Sequence, residues 1–410
     1  MVSTRESLRA WLRLSQTPGV GNITARALLL AFGLPEDIFK RSASELQAFV
    51  SPSVSHQLVS IPSNLEDALD LTWEWLHSHD APNNSQPTLT RRLLTLADTD
   101  YPSTLMLTPD PPCLLYALGQ TQHLHLLSPA EFKSPQALAI VGSRNPTPQG
   151  RLNAHDFAFT LSQAGLTVVS GLALGVDTAA HQGALAGGTH ANPLHTVAVV
   201  GTGLDRVYPF QNHGLALQIA ANGLLLSEYP LNTPPLTSNF PKRNRLIAGL
   251  SQGCLVVEAA TRSGSLITAR QALDLGKEVF AIPGSIHTTV SKGCHDLIKQ
   301  GAKLVDCAKD ILEEMKDLAT MPWPLSSPTQ SNEGTHVETE SKAMHRPCDQ
   351  VLRYLGHDPV GLDELQRRSG LATSQLQAEL FQLELSGALG RLPGGLYQKL
   401  SRQSSRQKRG

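Results

Sequence analysis

ALAIVG (137–142), TVVSG (167–171), TVAVVG (196–201), LLLSEY (224–229), CLVVEA (254–259), VFAIPG (279–284) and KLVDC (303–307) recur through the middle of the chain, with stretches of helical character between them. Strands that are apolar on both faces and alternate with helices predict an α/β domain. Its sheet is mostly parallel and covered on both sides, as in Rossmann-like folds. Several of these runs close on glycine. The carboxyl edge of such a sheet is where ligands bind. The domain is expected over residues 91–318.

Before it, residues 1–77 read as short helices. Leu8, Leu12 and Leu14 precede Pro18-Gly19-Val20-Gly21, and Ile23, Ala27, Leu28 and Leu30 follow at helical spacing. This is the outline of a helix-hairpin-helix, whose helix N-terminus either offers N–H groups to a phosphate or simply makes a turn. Residues 78–90 and 319–346 are rich in Pro, Ser, Thr and Asn and read as linkers. Residues 347–400 suggest three short helices and a hairpin, which is a winged helix. Thr373 to Gly387 would be its recognition helix, yet that segment carries Glu379 and Glu384 and neither Lys nor Arg. It reads as a protein-interaction or structural module rather than a DNA reader. The tail 401–410, SRQSSRQKRG, is basic.

The chain has 410 residues, is 40% hydrophobic and 17% charged, and has a net charge of −1. That suits a globular protein with a sizeable core and argues against a uniformly basic nucleic-acid coat, though not against a local basic groove. Cys113, Cys254, Cys294, Cys307 and Cys348 form no C-x-x-C pair. They read as buried small apolar residues in a reducing compartment, not as a disulfide framework or zinc site. The N-terminus lacks a signal-peptide core and no apolar run is long enough to span a membrane, so a cytoplasmic protein is expected.

Five motifs carry the chemistry. In V-G-S-R-N (141–145), Gly142 lets the backbone turn at a strand end and Arg144 stands where a guanidinium can fork onto phosphate. S-G-L-A-L-G-V-D-x-x-A-H (170–181) puts Asp177 in a helix's first turn and His181 one turn on. They are either a general acid and base or a cap and a structural hydrogen bond. G-T-G-L-D-x-x-Y-P (201–209) has Arg206 where a dinucleotide fingerprint needs glycine, which disfavours NAD and FAD. F-P-K-R-N-R (240–245) packs Lys242, Arg243 and Arg245 around Asn244, with Phe240 beside them. The cluster is expected to begin a helix, where cations oppose the macrodipole unless an anion is bound, and to be removable without unfolding the domain. Arg245 is less certain, since it could instead pair with an acid such as Glu258. S-G-S-L-I-T-A (263–269) starts a helix as an anion nest. No P-loop is present.

Taken together, VGSR, SGLALGVDxxAH, TVAVVGTGLDxxYP, LLSEYP, FPKRNRLIAGLS, VVEAxxxSGSLITA and VFAIPGS…KGCHDLIKQGA, preceded by YPSTL…PPCLLYALG, resemble the DNA-processing A (Smf) family across residues 95–310. The flanking helical and winged-helix segments fit with less specificity. The resemblance implies a Rossmann-like homodimer that binds single-stranded DNA and protects it during natural transformation. It further implies loading of the RecA recombinase, without cofactor or nucleotide hydrolysis. By position it implies DNA contacts at Arg144, Ser170, Gly171, Lys242, Arg243, Asn244, Arg245, Ser263, Gly264, Ser265 and Thr268. His295 stands where the family often has Asn, which leaves that side chain's role open. The alternative is a nucleotide phosphoribohydrolase-type enzyme. Its P-G-G-x-G-T loop is replaced here by S-G-S-L-I-T, and Glu258 is the only strand-end acid nearby.

Overall fold

The computed structural model describes residues 4–78, 89–125, 137–189, 192–318, 351–352, 354–355, 359–392 and 394–400. The linkers expected at 78–90 and 319–346 fall almost wholly outside these residues, as do the basic tail and Cys348. The chain divides into two compact units, Met1–Asn145 with Ala154–Leu304, and Pro146–Asn153 with Val305–Gly410.

The first unit is built on a nine-stranded sheet. Its strands are β1 (Thr90–Thr95), β2 (Leu114–Gly119), β3 (Ala137–Val141), β4 (Thr167–Ser170), β5 (Thr196–Val199), β6 (Leu224–Ser227), β7 (Gly253–Val256), β8 (Glu278–Ala281) and β9 (Lys303–Leu304). The order is β1-β2-β6-β5-β4-β3-β7-β8-β9. All seven apolar runs are strands, and they pair in parallel from β6 to β9. Every residue of β3, β4, β5, β6 and β7 is buried, because helices cover both faces.

Strands β1 and β2 were not expected. They pair antiparallel with each other, and β2 pairs antiparallel with β6. The N-terminal helices pack on this extension. Leu8, Trp11, Leu12 and Leu14 share one core with Leu93, Leu114 and Tyr116. The two hairpin helices are Arg5–Gln16 and Asn22–Phe32. The Asn22 side chain donates to Glu228 Oε1 (2.6 Å) and accepts from the Cys113 N–H (3.3 Å), which docks the hairpin turn on the sheet.

Strand order reverses between β3 and β7. Chain leaving β3 runs toward β4 on one side, and chain leaving β7 runs toward β8 on the other. A crevice must open at the carboxyl ends of these two neighbours.

In the second unit, helices Leu362–Ser369 and Thr373–Leu385 lie with a sheet of β10 (Val360–Gly361), β12 (Leu396–Lys399) and β11 (Leu389–Leu392). β11 and β12 form the expected antiparallel wing. Helix Thr373–Leu385 buries Leu376, Leu380 and Leu383, while Phe381 (61%) and Leu385 (73%) are exposed along the opposite side with Ala378. Among the described residues, no helix is long and apolar enough to cross a membrane. The described cysteines are free, and Cys113, Cys254 and Cys294 are buried.

Candidate nucleic-acid interface

The crevice between β3 and β7 is a cleft of about 420 Å³. Gly142 closes β3 in a space that admits no side chain. A Cβ there would lie 2.7 Å from Val176 and 3.0 Å from the Glu258 carbonyl. The chain turns at once, and Arg144 emerges exposed on the rim. Its guanidinium lies 5.5 Å from the Phe240 ring centroid, and Tyr208 stands 5.7 Å from the same ring, tilted by 38°. Arg144 has no ion-pair partner among the described residues. Cation and aromatic faces thus converge on one opening.

Phe240 is placed by helix Asn239–Leu250. The helix is anchored at its start: Asn239 Nδ2 donates to the Gly201 carbonyl (3.1 Å), and Tyr229 Oη donates to the Asn239 carbonyl (3.0 Å). Asn244 then reaches the opposite wall and donates to the Gly264 carbonyl (3.2 Å). There helix Ser265–Asp274 begins with Gly264 as its cap and the Ser263 and Ser265 hydroxyls 2.7 Å apart. A Cβ on Gly264 would meet nothing, so this helix start faces open space. Arg144, Arg243, Asn244, Ser263, Gly264, Ser265 and Thr268 all line this cleft.

The other sequence candidates are placed differently. Ser170 is fully buried and its hydroxyl donates to the Ile140 carbonyl (2.7 Å), so it ties β4 to β3 and has no proton left to offer a ligand. Gly171 is buried beneath the cleft, where a Cβ would overlap the Arg243 guanidinium. Lys242 and Arg245 line a neighbouring cleft of about 610 Å³, shared with Gly21 of the N-terminal hairpin. Lys242 is exposed and has no ion-pair partner among the described residues. Arg245 is spent: its Nε pairs with Asp110 Oδ2 (3.1 Å), its Nη1 donates to the Asp110 carbonyl (2.9 Å), and its Nη2 pairs with Glu228. The acids it meets are Asp110 and Glu228, not Glu258.

The charge cluster does fall at the start of a helix, but its three cations are not equivalent there. The helix starts at Asn239, so Lys242 closes its first turn, while Arg243 and Arg245 lie beyond that turn, where the macrodipole falls off. Arg243 is only 4% exposed. Its Nη1 donates to the carbonyls of Gly171 (2.6 Å) and Val199, at the ends of β4 and β5. Burial lowers its pKa to about 10, against the opposing pull of Asp177. Burial raises the Asp177 carboxyl, against the Arg243 charge and the N–H groups of Ala173 and Gly171. Arg243 therefore forms the buried floor of the cleft.

His181 is fully buried. Thr196 Oγ1 donates to the Val168 carbonyl (2.7 Å), so the contact between His181 Nδ1 and Thr196 Oγ1 (2.7 Å) must have the imidazole as donor. Nε2 is then the bare nitrogen, and it has no partner. Desolvation, with Arg243 nearby, pushes the His181 pKa down to about 3. Asp177 caps the backbone N–H groups of Gly171 and Ala173 and His181 bonds to Thr196, the arrangement of the second alternative that the motif left open. His295 Nε2 donates to the Gly284 carbonyl (2.9 Å) and tethers the loop after β8. Tyr208 was passed over in the sequence, although its Y-P pair next to a strand-closing G-x-G placed an aromatic at the sheet's ligand edge.

The family model for DNA recombination-mediator protein A matches residues 92–316. This chain belongs to the DNA-processing A (Smf) family. A second model, for the DprA winged helix domain, matches residues 345–395. Among its relatives, the Smf protein of Synechocystis sp. is 33% identical over 95% of this chain and 98% of that one. The Smf protein of Escherichia coli is 39% identical over 75% of this chain and 77% of that one. The X-ray structure of DNA processing protein A from Streptococcus pneumoniae superposes with a TM-score of 0.60 at 35% identity. It covers 77% of this chain and 99% of that one.

Proposed function

We propose that this DNA-processing A family member binds single-stranded DNA in the β3/β7 cleft, with phosphates at Arg144 and the Ser263–Ser265 helix start and a base against Phe240 and Tyr208. On this reading it acts in the cytoplasm as a homodimer. It shields incoming strands during natural transformation and loads the RecA recombinase onto them, without hydrolysing nucleotide. The observation that carries the proposal is Arg144: an exposed guanidinium with no acid paired to it among the described residues, set over an aromatic ring at the sheet's ligand edge. A site that combines unneutralised cations with stacking faces suits a single strand, whose bases are free to stack. One carboxylate, Asp177, is among the cleft-lining residues, and it is already engaged by Arg243 and two backbone N–H groups. That favours binding over the glutamate chemistry of a phosphoribohydrolase-type enzyme.

Anisotropy of labelled oligo-dT across a salt series tests this. Arg144→Ala is expected to weaken binding about tenfold at moderate salt and to lower the salt slope by about one. Equal or tighter binding of duplex at every salt concentration, or wild-type affinity in Arg144→Ala, would sink the proposal.

The winged helix is expected to contribute little. Its exposed helix face presents Ala378, Phe381 and Leu385 beside Glu384, which is chemistry for a protein partner and not for phosphate. Deleting residues 346–410 should leave most single-strand affinity intact. Deleting 401–410 alone isolates the basic tail. A large affinity loss in the longer deletion but not the shorter would assign DNA contact to the winged helix.

A further inference from the structure

The segment 171–175, which joins β4 to helix Val176–Gly187, has its backbone polar groups held by side chains one after another. Asp177 Oδ2 accepts from the N–H of Gly171 (3.2 Å) and of Ala173 (3.3 Å). Arg243 donates to the Gly171 carbonyl (2.6 Å), Asn212 to the Leu172 carbonyl (2.9 Å), and Thr178 Oγ1 to the Ala173 carbonyl (2.8 Å). These bonds hold Leu172 at φ 58, a left-handed conformation that a bulky side chain rarely adopts. A strained residue persists only where its surroundings over-determine it.

The far end of this segment bears on the cation of the cleft. The Val176 N–H donates to the Ser143 carbonyl (3.1 Å). Gly175, at φ 84, packs so closely on the neighbouring strand end that a Cβ would overlap the carbonyls of Ser143 and Arg144. The backbone that carries Arg144 therefore rests on a segment that Asp177 and its neighbours fix.

We propose that Asp177 is a positioning residue for Arg144: it holds residues 171–175 in the one conformation that braces the Ser143–Arg144 backbone, and so aims the guanidinium. This rests on the reading that DNA phosphate binds at Arg144. A cation on a fixed backbone loses less freedom on binding than one on a mobile loop, so its contact contributes more affinity.

A double-mutant cycle on oligo-dT binding tests the assignment, with each variant measured well below its melting temperature. Asp177→Asn is expected to weaken binding about fivefold and to lower the salt slope by about one, as Arg144→Ala does. The Arg144→Ala/Asp177→Asn double variant should bind no more weakly than Arg144→Ala alone, because both remove the same contact. Thr178→Ala removes the bond to the Ala173 carbonyl (2.8 Å) and the contact with the Asn212 side chain (2.9 Å), and should show a smaller effect that also vanishes in the Arg144→Ala background. It decides the matter by the same criteria if Asp177→Asn does not fold. A merely structural role would lower the melting temperature and leave the salt slope of the folded protein unchanged. Wild-type slope in the folded variants, or losses that add in full to that of Arg144→Ala, would overturn the assignment while leaving the cleft reading intact. An Arg144→Ala variant that binds like wild type would overturn both.

Discussion

Arg243→Ala is expected to lower the free energy of unfolding by about 3–5 kcal/mol, because it leaves the buried carbonyls of Gly171 and Val199 without their charged donor, at about 1–3 kcal/mol each. The substitution strips a donor from the carbonyls of Gly171 and Val199 and leaves Asp177 buried without its cation. None of these groups can recover a partner from water, since Arg243 is only 4% exposed and Asp177 only 8%. Urea titration followed by circular dichroism measures the effect. The deficit should also shrink as pH falls. Burial already raises the Asp177 carboxyl in the wild type against the Arg243 charge. Without that charge it should rise further, so the variant loses more stability than the wild type as pH rises from the unfolded-state pKa through the raised one. A change below about 1 kcal/mol, a size usual for an exposed pair, would show that Arg243 does not hold the floor of the cleft. Binding assays on any variant lacking Arg243 must be paired with a melt, because a loss of affinity there reports on folding first.

The fold was legible because its signal is long-range and redundant. Seven runs apolar on both faces admit few arrangements other than a covered parallel sheet, and each was found where the runs placed it. β1 and β2 escaped because they lie at the antiparallel end of the sheet. TRRLLT carries Arg91 and Arg92 within its six residues, and Arg92 pairs with Asp100 (2.7 Å), a contact that no local pattern announces.

The site was legible as a set of motifs and much less so as a set of roles. Arg144, Arg243 and Arg245 are alike in the sequence, yet one is exposed with no ion-pair partner among the described residues, one is buried and one is clamped by two acids. For Arg243 a signal did exist. Asn239, Arg243, Leu246, Ile247 and Leu250 fall on one helical face, and all five are buried. A cation on an apolar stripe announces a buried pair. Reading the charge run as a unit hid that spacing. For Arg245 nothing local would have served, because Asp110 lies far off in the chain and comes near only through β2 and β6. Ser170 shows the same limit: the loop motif was right, but only the register of β4 on β3 turns its hydroxyl to the Ile140 carbonyl.

His181 sets the second large effect, and it is one of acid sensitivity. Its imidazole has a pKa of about 3 in the folded chain against 6.5 when free. The folded value is depressed, so below 6.5 the unfolded state binds a proton that the native state refuses. Stability is then lost as pH falls through the interval from 6.5 toward 3. The geometry explains the refusal: Nδ1 already donates to Thr196, and a proton on Nε2 would place charge in a fully buried pocket with no acceptor and with Arg243 nearby. At pH 5, about 1.5 units below the free value, the cost is about 2 kcal/mol at 1.36 kcal/mol per unit. His181→Gln keeps a polar side chain of similar length and has nothing to titrate. The variant is expected to be less stable than wild type near neutral pH, with the gap closing by about 2 kcal/mol at about pH 5. Urea midpoints at the two pH values measure it. A gap that stays constant to within about 0.5 kcal/mol would mean that His181 is not held neutral by its burial.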